Sequence, residues 1–171
     1  MPQLIVDKFT FNFPAEWMPL KYDDSVYYRK HFNDFAASKA VDLLALAPRH
    51  SALWMIEIKD YRRRRRTKPE CLFTEVAHKV RDTLAGLAAA RVAVNDPQLQ
   101  AFAVNAMRAS SFRVVLLLEQ PQKPSKLFPQ AVDPSTARTA LIKAVRAVDP
   151  HPIFCNAGAL TEKTGWNVTP P

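Results

Sequence analysis

Two acidic side chains and a lysine stand where the buried strands of a core should carry no charge. Residues 40–47 form an apolar run broken only by Asp42, and residues 53–58 form a second run that is interrupted at Glu57 and closed by Lys59. A carboxylate inside a buried strand costs roughly several kcal/mol unless it is paired or binds a metal. The pattern therefore predicts a site of two carboxylates and one lysine, a set suited to metal-dependent hydrolysis of a phosphodiester.

The spacing predicts that these three side chains converge. Side chains alternate along a strand, so Glu57 and Lys59 project from one face. Leu53 and Met55 share that face, and the opposite face is formed by Trp54, Ile56 and Ile58. Residues 48–52 are typical of a turn, which predicts an antiparallel hairpin. In such a pair Asp42, at the start of the first strand, lies beside the end of the second.

The sequence reads Asp42, fourteen further residues, then Glu57-Ile58-Lys59. This pattern resembles the PD-(D/E)xK, or restriction-endonuclease-like, nuclease superfamily, over roughly residues 24 to 120. Val41 stands at the position of the name-giving proline, which many members of the superfamily lack. The resemblance implies an α/β fold with a central mixed β-sheet flanked by helices, and it does not indicate a subfamily.

The resemblance also implies roles for the site residues. Asp42 and Glu57 would bind Mg²⁺ or Mn²⁺, helped by the main-chain carbonyl of Ile58, and Lys59 would orient or deprotonate the attacking water. The alternative is a structural buried ion pair of Lys59 with Asp42 or Glu57. The order of elements and the basic residues beside the motif favour the nuclease-type site.

Two further residues are candidate accessory groups. Glu75 and Lys79 lie four residues apart on the helix that follows the motif, and in the resembled family that helix often contributes a polar residue to the site. The alternative is a surface Glu–Lys pair worth about 0.3 kcal/mol. Asp82 shares their face, and there a surface role is favoured.

The positive charge of the chain is concentrated beside the motif. The formal net charge is +8, and residues 49 to 81 hold ten Lys or Arg against four Asp or Glu. Such a balance favours a polyanionic partner. We expect the five consecutive arginines, Arg62, Arg63, Arg64, Arg65 and Arg66, to contact nucleic acid. The alternative is a solvated loop that keeps the chain soluble.

Hydrophobic periodicity predicts the elements that position these residues. Strands are expected at residues 4–13, 40–47, 53–58, 112–118 and 153–156, with a last edge strand around Trp166 and Val168. Helices are expected at residues 26–35, 73–94, 97–109 and 134–148. A chain of 171 residues with this pattern is most simply one α/β domain covering residues 1–171.

Other classes of function fit the sequence poorly. Only three glycines are present, so a Gly-rich phosphate loop is excluded, and neither the four histidines nor the two cysteines show metal-ligand spacing. No apolar stretch suits a membrane span or a signal peptide, so a cytoplasmic protein is expected. The partner is expected to be nucleic acid, with DNA favoured over RNA.

Three hypotheses follow from the sequence. The first is a Mg²⁺-dependent nuclease. The second is a catalytically inactive protein of the same fold that binds nucleic acid or a protein partner. The third is a structural subunit of a larger complex in which the arginine run is an interaction tag. A homodimer or a larger complex is the expected form of any assembly.

Overall fold

The computed structural model describes residues 2–63, 66–127 and 129–170, and for residues 161–163 the backbone alone. Arg64 and Arg65 of the predicted nucleic-acid-binding run therefore lie outside the described residues. The fold is mixed α/β, with a five-stranded sheet, a small three-stranded sheet and helices.

The central sheet is mixed, with strand order β3-β4-β5-β6-β7. Its strands are β3 (Met18–Leu20), β4 (Leu43–Leu46), β5 (Leu53–Asp60), β6 (Phe112–Glu119) and β7 (Ile153–Cys155). Strand β4 is antiparallel to both of its neighbours, β3 and β5, whereas β5, β6 and β7 run parallel to one another. The predicted hairpin of β4 and β5 is confirmed, with Leu43 opposite Ile56 and Leu46 opposite Leu53.

Among the described residues, four α-helices accompany the sheets: α1 (Leu72–Ala93), α2 (Pro97–Ala106), α3 (Pro134–Val145) and α4 (Ala157–Thr164). Helices α1, α2 and α3 cover one face of the central sheet, where Met55 of β5 belongs to the same buried cluster as Val76 and Val80 of α1. No helix of the described chain is long and apolar enough to cross a membrane.

The opposite face of the central sheet packs against α4 and the small antiparallel sheet. That sheet consists of β1 (Gln3–Val6), β2 (Phe9–Asn12) and β8 (Asn167–Thr169), in the order β1-β2-β8. Trp54 and Ile56 of β5 share their buried cluster with Phe11 of β2 and with Trp166. The alternation predicted for β5 is thus confirmed, because Leu53 and Met55 belong to the other cluster.

Two predicted elements differ in the structure. The helix expected at residues 26–35 is shorter and irregular: residues 26–32 are helical, with a π-helix at Tyr28–Phe32, and a separate 3₁₀ turn follows at Phe35–Ala37. Phe32 is buried whereas Phe35 is 67% exposed, so the aromatic residues of this segment do not form one apolar face.

The strand expected at residues 4–13 is a hairpin. Asp7 and Lys8 adopt positive φ angles of 47° and 73°, and they reverse the chain between β1 and β2. The alternating pattern continues on both sides of a two-residue turn, which is why periodicity alone predicted a single strand. The predicted tail strand near Val168 is confirmed as β8.

Candidate functional site

The hairpin of β4 and β5 brings Asp42 to the end of β5. Asp42 immediately precedes β4, and its Oδ2 accepts a hydrogen bond of 2.7 Å from the backbone N–H of Ile58. Glu57 and Lys59 flank Ile58 on β5. The antiparallel register thus places the first carboxylate beside the two charged residues of the second strand.

Lys79 of α1 connects the two carboxylates. Its Nζ lies 2.7 Å from Oε1 of Glu57 and 3.1 Å from Oδ1 of Asp42. Burial disfavours the ammonium, but Glu57 and Asp42 outweigh that effect and raise the pKa of Lys79. One cation therefore contacts both carboxylates, which lie close enough together to share a cation.

Glu57 is fully buried. Its side chain is 0% exposed, and its Oε1 also lies 2.5 Å from the Nζ of Lys59. Its Oε2 is buried and has no hydrogen-bond partner among the described residues. Burial and the neighbouring Asp42 raise the pKa of Glu57 to about 7, against the opposing effect of Lys79 and Lys59. An orphaned carboxylate oxygen of this kind has an unused capacity to accept a hydrogen bond or to bind a cation.

Glu75 lies beside this group in a second cluster of charges. Its buried Oε1 lies 2.6 Å from Lys68 Nζ and 3.7 Å from Lys59 Nζ, and its Oε2 lies 2.9 Å from Arg66 Nη1. Burial alone would raise the pKa of Glu75, but Lys68, Lys59 and Arg66 lower it to about 2. Glu75 is thus bonded to the segment that precedes α1, and Lys59 stands between Glu57 and Glu75.

The described arginines of the run have different environments. Arg62 makes a bidentate pair with Asp60, with Nε 2.9 Å from Oδ1 and Nη2 2.7 Å from Oδ2. Arg66 points inward, where it bonds Glu75 and also the hydroxyl of Tyr61 at 3.0 Å. Arg63 is exposed. Of the three described arginines, therefore, Arg63 alone is exposed without a close ion pair.

Asp23 is a residue of this region that the sequence analysis missed. It lies in the 3₁₀ turn Tyr22–Asp24, and its Oδ1 is buried without a hydrogen-bond partner in the described chain. Burial raises the pKa of Asp23 to about 6, and the charges acting on it include Asp42 and Lys79. In the sequence Asp23 is indistinguishable from Asp24 as a helix-capping candidate. Only its place after the buried Tyr22 could have indicated that it faces inward.

The donor set fits a Mg²⁺ site of low protein coordination. Across residues 2–63, 66–127 and 129–170, no group of three or more His, Cys, Asp or Glu side chains is placed to hold a metal ion. Mg²⁺ is commonly held by one or two carboxylates and several waters, however. Asp42 and the orphaned Oε2 of Glu57 supply that minimum. The β4–β5 ladder ends at the pair Leu43–Ile56, so no residue of β4 pairs with Ile58, whose carbonyl is the third candidate ligand.

Comparisons with known proteins give one partial likeness. The chain is 28% identical over 164 residues to a Cysteine–tRNA ligase from Neisseria meningitidis serogroup A / serotype 4A, in an alignment that covers 78% of this chain and 23% of the ligase. The chain thus spans about a quarter of the length of that relative. No protein-family model matches the chain. No solved structure matches it either.

Proposed function

We propose that this protein is a nuclease-like enzyme that hydrolyses phosphodiester bonds of nucleic acid with the help of Mg²⁺ or Mn²⁺, on a restriction-endonuclease-like core. One observation carries the proposal: β4, β5 and α1 bring Asp42, Glu57, Lys59 and Lys79 together, while Oε2 of the fully buried Glu57 is left without a partner.

Each residue has a role in this proposal. Asp42 and Glu57, with the Ile58 carbonyl, would hold the metal, which supplies Lewis-acid stabilisation of the phosphate and acidifies water. The Lys59 ammonium, 16% exposed, would orient the attacking water and offset phosphate charge. Lys79 would keep the two carboxylates together before the metal binds and would yield its place between them.

A second candidate function is binding of nucleic acid without turnover. The observation that favours it is again Lys79, because an ammonium between Asp42 and Glu57 already neutralises the pair. A protein of this kind would bind nucleic acid equally well with or without divalent metal, and it would leave the strand intact.

The experiment is a cleavage assay with end-labelled duplex DNA, single-stranded DNA and RNA, each with Mg²⁺, Mn²⁺ or EDTA. A tRNA substrate belongs in the set because the partly similar protein is a Cysteine–tRNA ligase. We expect metal-dependent cleavage that is lost in Glu57→Gln and in Lys59→Met. Glu16→Gln, at an exposed position, is the matched control and should keep full activity.

Two results would contradict the proposal, the first its site and the second its turnover. Undiminished cleavage in Glu57→Gln would remove this site from the mechanism. Binding of all four nucleic acids without cleavage under any metal condition would favour the second candidate function.

A further inference from the structure

Two basic cavities meet at Asp60, at the end of β5. The first, of about 240 Å³, lies next to the candidate site and is lined by Lys59, Asp60, Tyr61, Arg66, Thr67, Lys68 and Glu75. The second, of about 290 Å³, is lined by Lys8, Asp60, Arg62 and Arg63. Together they carry six basic side chains and two acidic ones, so a positively charged band continues from Lys59 to the β1–β2 turn.

Lys8 holds an unusual position in that turn. Asp7 and Lys8 are the two residues between the paired ends Val6 and Phe9, and both have positive φ angles. A two-residue hairpin turn of this kind favours glycine at the second position, because a side chain at positive φ is strained. The chain instead places a long cationic side chain there and exposes it. Strain kept at an exposed charged residue suggests a role in binding.

The turn is also attached to the basic segment that follows β5. Phe9, adjacent to Lys8, is fully buried, and the guanidinium of Arg62 lies 5.7 Å from the centre of its ring. Arg62 is itself paired with Asp60. Within the described residues, Lys8 and Arg63 make no such close ion pair, and both are exposed, so both are accessible to an external anion.

We propose that Lys8 and Arg63, together with the cavity beside Lys59, form one continuous contact surface for successive phosphates of a nucleic-acid backbone that leads into the candidate site. This rests on the proposed function in assigning nucleic acid as the partner. Long cationic side chains and the hydroxyls of Tyr61 and Thr67 are the groups that contact phosphate and sugar, and such contacts position a strand without reading its bases.

The experiment compares two substitutions of Lys8 with one control. Lys8→Gln removes the charge and keeps the strained backbone, whereas Lys8→Gly removes both. Lys143→Gln makes the same change of charge at an exposed position of α3 that lines neither cavity. Binding of a fluorescent duplex DNA, and of RNA of the same sequence, is measured by anisotropy without divalent metal at three salt concentrations.

We expect both Lys8 variants to weaken binding about three- to fivefold for every sequence and to lower the slope of log K against log salt by about 0.9 for the duplex. Lys143→Gln should leave affinity and slope unchanged. The thermal midpoint of Lys8→Gly should equal or exceed that of the wild type, because glycine relieves the strain. A loss of affinity in a variant of undiminished stability supports direct contact.

Three outcomes would contradict the proposed contact surface. The first is unchanged affinity and slope in both Lys8 variants while the wild type binds. The second is equal competition by poly-glutamate of matched charge, which would indicate a general anion patch. The third is a wild type that binds no nucleic acid, which would also overturn the proposed function. Binding that depends on Lys8 but is not followed by cleavage would keep the surface and reject catalysis alone.

Discussion

Lys79 extends from α1 to place its Nζ 2.7 Å from Oε1 of Glu57, a residue on the central strand of the sheet. The two residues are twenty-two positions apart in the chain and belong to different layers of the fold. The contact ties α1 to the end of β5 by a charged hydrogen bond in a place where Glu57 has no exposure to water. Lys79 thereby offsets the buried charge of Glu57 without a metal ion.

Lys79→Met should therefore destabilise the metal-free protein. It should also increase the gain in unfolding free energy that Mg²⁺ produces. Removing the ammonium leaves Asp42 and Glu57 without their shared cation, and breaking a buried charge pair in this way costs about 3 kcal/mol. Mg²⁺ can then replace the lost charge, and ligand binding to the folded state raises stability. The measurement is urea unfolding with and without Mg²⁺. Lys143→Met is the control, and an equal Mg²⁺ effect in the wild type and Lys79→Met would contradict the prediction.

Mg²⁺ affinity should increase as the pH rises toward 7. The pKa of Glu57 is raised to about 7 by burial, so below that pH a proton must leave before the carboxylate can bind a cation. The dissociation constant should fall about tenfold per pH unit below 7 and level off above it. Isothermal titration calorimetry at pH 6, 7 and 8 would test this. Glu57→Gln should bind weakly with little dependence on pH, and a wild-type affinity that does not change with pH would exclude Glu57 as a ligand.

Glu75→Gln should destabilise the protein at pH 7 and have little effect near pH 2. The pKa of Glu75 is lowered to about 2 in the folded state from an ordinary value of 4.5. A depressed pKa contributes stability above 4.5 that is lost as the pH falls toward 2. The contribution at pH 7 is on the order of 3 kcal/mol. Urea unfolding of wild type and variant across pH 2–7 measures it, and a constant difference over that range would mean that packing, not charge, is lost.

Substitution of Arg66 should lower stability, whereas substitution of Arg63 should weaken nucleic-acid binding. Arg66→Gln should lower stability by about 1–3 kcal/mol, because it removes a bonded partner from the buried Glu75. Arg63→Gln should leave stability unchanged and weaken nucleic-acid binding, since Arg63 is exposed beside Lys8. Chemical unfolding and anisotropy on both variants would separate the two effects. Weaker binding in Arg66→Gln at full stability would mean that Arg66 turns outward to a phosphate.

The sequence predicted the strands of the site better than their connections to the rest of the fold. Hydrophobic runs located β4 and β5, and charge inside those runs identified Asp42, Glu57 and Lys59. The position of Lys79 depends on how α1 packs against the sheet, which a helical spacing of Glu75 and Lys79 does not reveal. In the structure these two residues bond to different partners.

Two features could not be predicted from local pattern because tertiary contacts decide them. Asp23 has a buried carboxylate oxygen and follows the fully buried Tyr22, and no periodicity marks the segment that contains them. Arg66 is one of five identical residues in sequence, yet the proximity of Glu75 separates it from Arg63. Charge density indicated a basic region correctly but could not tell a structural arginine from a solvent-facing one.

Helix α1 approaches Tyr22 closely at Gly86, and this contact can be tested by substitution. A Cβ added at Gly86 would collide with the hydroxyl of Tyr22 and would lie 3.1 Å from the ring of Phe32. Tyr22 is fully buried, and its hydroxyl has no hydrogen-bond partner among the described residues. Glycine at position 86 has a lower helix propensity than alanine, but it allows the segment that carries Asp23 to pack closely against α1.

Gly86→Ala should lower the free energy of unfolding by about 1–2 kcal/mol, because overpacking costs more than the roughly 1 kcal/mol that alanine gains in helix propensity. Tyr22→Phe removes the colliding hydroxyl and leaves no buried polar group unpaired, so it should cost little by itself. The double variant should then recover most of the loss, which a double-mutant cycle in urea would measure. Additive effects of the two substitutions would show that the Tyr22 hydroxyl is not what excludes a side chain at Gly86.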